Sequence, residues 1–137
     1  MTGIHQVLAA AVAGDAITNS ALEIRDLLRQ VGPSEVYARH IAPEMEAEVL
    51  RLGEFPPRSV GDVIVYHASI GEPLVHAFLL SRREPLVLVY HNVTPARYFE
   101  EWDPKFAELL NLGRSELYEL RHRVAVAVAD STFNAFE

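Results

Sequence analysis

Residues Leu86 to Pro95, LVLVYHNVTP, constrain the fold of this chain more than any other stretch. Leu86, Val87, Leu88 and Val89 form an unbroken aliphatic run closed by Pro85 before it and by Thr94 and Pro95 after it. A run that apolar reads as a short strand buried on both faces, and such strands belong to parallel sheets covered by helices. In open α/β sheets ligands bind just beyond the carboxyl ends of the strands, so His91 and Asn92 are delivered to the expected place.

At 137 residues, half of them hydrophobic, the chain suits one domain with a real core and is too short for two ordinary ones. A net charge of −7 without a basic run argues against a nucleic-acid partner, whose phosphates demand clustered Lys and Arg. The absence of cysteine rules out disulfides and thiolate zinc sites. The longest apolar stretch, Val7 to Ala13, is far below the roughly 20 residues of a membrane span and lacks a charged leader, so a cytoplasmic protein is expected.

Strand and helix signals alternate along the chain. Ile4 to Ala11 reads as a strand, interrupted by Gly14 and Asp15. Ile17, Ala21, Ile24, Leu28 and Val31 then share one helical face. Gly32 and Pro33 stop that helix, and Glu35 to Arg39 forms a second strand. An acidic helical turn is expected over Glu44 to Glu48, with a brief edge strand near Val49 to Leu52. Asp62 to Tyr66 is the next strand, ending at His67, and Pro73 opens a helix through Leu80. After the Leu86 strand, Asp103 and Pro104 cap a long helix with Phe106, Leu109, Leu110, Gly113, Leu117 and Leu120 as its buried stripe. Val124 to Ala129 is a last strand, and Asp130 and Ser131 begin another helix. The pattern predicts a doubly wound, mainly parallel Rossmann-like sheet with helices on both faces, every strand too apolar to face water, in the order 3-2-1-4-5-6. The reversal then falls between the first and fourth strands, and Gly14, His67, His91 and Asp130 share one rim.

Each of these residues has a structural and a functional reading. Gly14 is either a tight turn or an approach point for an anion at a helix N-terminus, and Asp15 reads as a helix cap before it reads as a catalytic group. His91 is a buried imidazole or a ligand contact. His67 occupies the equivalent place on the neighbouring strand, but a zinc site needs three or four ligands and only Asp130 could be a third, so no metal is expected. His5, His40, His76 and His122 read as structural. Tyr98, Phe99 and Trp102 form either a core lid or the wall of a pocket. A response-regulator receiver is excluded because Ala10, Ala11 and His67 stand where it needs acidic residues, and a flavodoxin because Gly14 to Ala16 is not a hydroxyl-rich phosphate loop.

Taken together, Ile4 to Gln6 (IHQ), Gly14 to Asn19 (GDAITN), Tyr66 to Ser69 (YHAS), Tyr90 to Pro95 (YHNVTP) with Glu101 to Pro104 (EWDP), and Ala129 to Ser131 with Asn134 resemble the N-terminal half of bacterial glycosyltransferases of family 4. These are GT-B enzymes, two Rossmann-like lobes facing each other across a cleft, and the likeness runs over essentially the whole chain. It implies retaining transfer of a sugar from a nucleotide-sugar donor to a glycosyl acceptor, with no metal or cofactor required. By the same resemblance Gly14, Asp15 and Ala16 lie near the donor diphosphate, and His91 contacts and orients the donor sugar as the catalytic contact. Asn92, Thr94, His67 and Ser69 line the acceptor side, and Asp130 and Ser131 shape the cleft floor. The second lobe, which in that family carries an E-x7-E motif, has no counterpart among these residues. The expectation is therefore a truncated, acceptor-side domain that is inactive alone and prone to form homo-oligomers through exposed surface. The competing expectation is a binding or interaction module without catalysis.

Overall fold

The computed structural model describes residues 2–58 and 60–137. Six strands, β1 (Ile4–Ala11), β2 (Val36–Ile41), β3 (Leu50–Arg51), β4 (Val63–Ala68), β5 (Leu86–Tyr90) and β6 (Val124–Ala129), form one sheet. Four helices, α1 (Ala16–Leu28), α2 (Pro73–Ser81), α3 (Pro104–Leu120) and the short α4 (Thr132–Ala135), connect or follow them. Every pairing is parallel and the order is β3-β2-β1-β4-β5-β6, a Rossmann-like doubly wound α/β arrangement. The reversal therefore lies between β1 and β4, where the carboxyl ends of the strands open outward.

Local chemistry sets the helix starts. The Asp15 carboxylate accepts from the Thr18 amide at 2.9 Å, Glu72 from the Val75 amide at 2.8 Å and Asp103 from the Phe106 amide at 3.1 Å. Each side chain thus satisfies an amide that the first turn leaves without an intrahelical partner. Pro73 and Pro104 follow their caps directly, where a missing N–H costs nothing.

The two faces of the sheet have separate cores. Val7, Ile64, Tyr66 and Leu86 pack under Val75 and Leu79 of α2 and Leu120 of α3. Leu8 and Ala38 pack with Ala21 of α1 on the other side. Among the described residues between β3 and β4 there is no α-helix. Phe55 fills that space between Tyr37 (ring centroids 4.6 Å apart) and Phe78 (5.0 Å), with the Arg82 guanidinium over both Phe rings.

Several expectations need correction. The first helix ends at Leu28, and Val31 lies beyond it in solvent, because Arg29, Gln30 and Val31 turn back on the last carbonyls. Asp62 is outside β4, its carboxylate held by the Gly3 amide at 2.7 Å. The acidic turn is a 3₁₀ turn over Pro43–Met45, and the edge strand is only Leu50–Arg51. Leu109 is partly exposed, while Glu116, on the face expected to be apolar, is buried. Tyr98 and Trp102 face solvent, so only Phe99 of that aromatic group joins the core, edge-on to Phe106. The largest difference is β6. Val126 and Val128, which register with Val87 and Val89, are 54% and 48% exposed, since no helix among the described residues covers that half of the α1 face. Ala125 and Ala127, on the opposite face, are exposed as well, so a fully apolar strand can stand open on both sides.

Candidate functional site

Gln6 is the one amide side chain in β1, and it is completely buried. A buried amide needs partners on both its ends. Its Nε2 donates to the Ala21 carbonyl of α1 at 2.8 Å, which turns Oε1 toward His67. His67, next to last in β4, is 1% exposed and sits 2.8 Å from that oxygen through Nε2. Its other ring nitrogen, Nδ1, lies 2.8 Å from Nε2 of His91. The two rings stand 5.1 Å apart with planes 19° from parallel. His91 follows β5 directly and is held by its amide on the Ala68 carbonyl at 3.1 Å. The Nδ1 of His91 is 3.3 Å from Asp130 Oδ2, just past β6.

One chain of polar contacts therefore runs across four adjacent strands at the carboxyl edge, from the α1 backbone through Gln6, His67 and His91 to Asp130. Burial, with the neighbouring His91 adding to it, lowers the His67 pKa to about 4. His67 is thus neutral in ordinary buffers, and both its nitrogens are committed to protein partners.

A second set of bonds fixes the far end of the rim. Asn92, at φ 74°, adopts the left-handed conformation that Asn tolerates better than most residues. Its Nδ2 donates to Asn134 Oδ1 at 3.0 Å, and Asn134 Nδ2 donates to Asp130 Oδ1. Ser131 caps α4 by accepting from the Asn134 amide at 3.1 Å. The buried Asn92 Oδ1 is left without a partner.

The residues named from sequence fall into three places. His91, Asn92, Asp130 and Ser131 form the corner just described. Asp15, His67 and Ser69 line a neighbouring cleft of about 290 Å³ together with Leu8, Val12, Ile17 and Ile70. Gly14, at φ 77°, and Ala16 are exposed on the same edge, with open space where a Gly14 side chain would go. Thr94 is exposed, and its neighbour Val93 faces the core. Two of the assigned roles change character. His67 keeps no free nitrogen for a ligand, so it supports the rim rather than lining it chemically. Asp15 accepts from both the amide and the hydroxyl of Thr18, each at 2.9 Å, so a carboxylate already occupies the α1 N-terminus that an anion would seek.

Gln6 and Asn134 belong to the quoted motifs but carried no assigned role. For Gln6 the signal was present: a lone amide within a strand expected to be buried on both faces must be paired. Among the described residues no group of three or more His, Asp or Glu side chains could hold a metal ion, and no helix is long and apolar enough to cross a membrane. No family model, curated protein or solved structure matches the chain.

Proposed function

We propose that this chain is the acceptor-side Rossmann-like lobe of a retaining glycosyltransferase, which moves a sugar from a nucleotide-sugar donor to a hydroxyl acceptor when it faces a donor-binding lobe. The observation that carries the reading is the Gln6–His67–His91–Asp130 chain. It is built on the residues that carry the resemblance and opens at the carboxyl edge of the sheet, beside a cleft. His91 contacts and orients the donor sugar, with Asn92 and Ser69 on the acceptor side and Asp130 with Ser131 at the floor. His67 and Gln6 hold His91 in place. The amides of the Gly14–Ala16 turn face the leaving diphosphate, whose charge the second lobe must largely meet because Asp15 opposes it here.

The test uses a polypeptide in which this lobe is joined to a donor-binding lobe. There, His91→Ala lowers kcat/KM about a hundredfold, the scale of losing one positioned polar group in a desolvated site. Unchanged transfer overturns the reading. A second reading, an interaction module without catalysis, is favoured by the exposed Val126, Val128, Phe133 and Phe136. Rim-localised amide shifts on titrating methyl glycosides into the chain itself favour the lobe, whereas shifts confined to β6 on adding a protein partner favour the module.

A further inference from the structure

The polar chain at the rim has a direction, and the direction leaves it one hydrogen short. The Ala21 carbonyl can only accept, so Gln6 must present its NH₂ there and its oxygen to His67. The His67 Nε2 facing that oxygen must then carry a proton. A neutral imidazole has one N–H, so His67 Nδ1 is a lone pair, and the facing His91 Nε2 must carry the proton of that bond. A neutral His91 has therefore spent its only N–H inward, and its Nδ1 lone pair points at a carboxylate oxygen 3.3 Å away. Two acceptors then face each other.

The opposite direction would give Asp130 its hydrogen bond from Nδ1–H, but it would reverse every bond inward and set the Gln6 oxygen against the Ala21 carbonyl. Gln6 and His67 are sealed from water, whereas Asp130 is 43% exposed. An unmatched pair costs far more in the interior than at the surface, so the buried end decides. Asp130 cannot simply turn aside, because Asn134 holds its other oxygen.

We infer that Gln6 and His67 are positioning residues that lock His91 in its Nε2–H form, so that His91 Nδ1 and Asp130 Oδ2 together form a seat for hydrogen-bond donors, filled by the hydroxyl groups of a polyol. An ionised phosphodiester, which brings only acceptors and negative charge, is refused at this corner. The inference deepens the proposed function by assigning the hydroxyl-bearing part of the ligand to these atoms. It rests on the rim being the ligand site and not on transfer chemistry.

Two-bond ¹H–¹⁵N spectra of the imidazole rings in the intact chain at pH 8 read the tautomers directly. Both His67 and His91 are expected as Nε2–H forms. His67→Asn, whose side-chain oxygen can take the place of Nδ1 as acceptor, keeps His91 in that form, while His67→Leu releases it to a mixture of tautomers. Methyl α-glucopyranoside shifts the His91 Nδ1 resonance, and 1,2-dimethoxyethane, which has oxygens but no O–H, does not. An Nδ1–H form of His91 in the unaltered chain, an unchanged tautomer in His67→Leu, or a response that does not distinguish the two additives overturns the inference. If the spectra are as expected and the joined lobes transfer no sugar, only the transferase reading falls. If transfer occurs with His91 in the Nδ1–H form, only this inference falls.

Discussion

Gly71 and Gly113 meet backbone to backbone: a Cβ on Gly71 would lie 2.7 Å from the Gly113 amide nitrogen, and a Cβ on Gly113 would lie 2.8 Å from that of Gly71. The Gly71 amide also donates to the Leu109 carbonyl at 3.0 Å, so the turn after β4 is clamped to the middle of α3. Gly113→Ala is expected to destabilise the fold by about 1–3 kcal/mol, since backbone rather than a flexible side chain must give way. Gly14→Ala meets open space and is strained only by its positive φ, which costs about 1 kcal/mol. Urea unfolding of the two variants distinguishes the effects. Equal losses would mean that the Gly71–Gly113 approach is not as close as described.

The buried imidazole of His67 makes stability depend on pH. Its folded pKa, lowered to about 4 by burial, lies below the ordinary 6.5, so between these values the unfolded chain binds more protons. The contribution is fully present above pH 6.5 and lost as the pH falls toward 4, reaching about 3 kcal/mol. Chemical unfolding of the unaltered chain and of His67→Asn across this range should show the difference between them shrinking by that amount on acidification. A constant difference would mean that His67 titrates freely.

Glu116 acts with the opposite sign. Burial raises its carboxyl pKa, and although Oε2 accepts from the Glu72 amide at 3.1 Å, Oε1 has no partner. The stabilisation of the neutral form is intact below pH 4.5 and is lost as the pH rises above it. Glu116→Gln keeps an acceptor for Glu72 and carries no charge, so its melting temperature relative to the unaltered chain should climb as the pH is raised from 4 to 8. A flat or falling difference contradicts the assignment.

Val126 and Val128 should drive self-association. They extend the apolar surface of Val87 and Val89 to an unpaired sheet edge, beside the exposed Phe133 and Phe136. Light scattering over a concentration series is expected to show growth in mass that Val126→Lys with Val128→Lys suppresses. A monomer at all concentrations would show that this surface is well solvated as it stands.

Much of this architecture is legible in the residues themselves. Leu86–Tyr90 and Val63–Ala68 are apolar enough to require cover on both faces, and Asp15, Asp103, Pro73 and Pro104 mark helix starts by chemistry that acts within one turn. Features that depend on what lies opposite are harder to read. Val124–Ala129 is as apolar as the central strands, and nothing in its own sequence says that its middle stays exposed on both sides. Glu116 falls on the apolar face of α3, but what receives its carboxylate there is the Glu72 amide at the start of α2, which its own turn does not show. His67 and His91 could be placed on one rim from topology, but their bond depends on Gln6 turning under α1, sixty-one positions away from His67 in sequence.

The asparagine ties at the rim have a mechanical consequence. Asn134 grips Asn92 with its oxygen and Asp130 with its nitrogen, so the first turn of α4 is fastened to the tip of β5 and to the end of β6 by a single side chain. Any force that swings the α4 turn outward breaks both ties in one event and leaves the Asp130 carboxylate without its asparagine anchor.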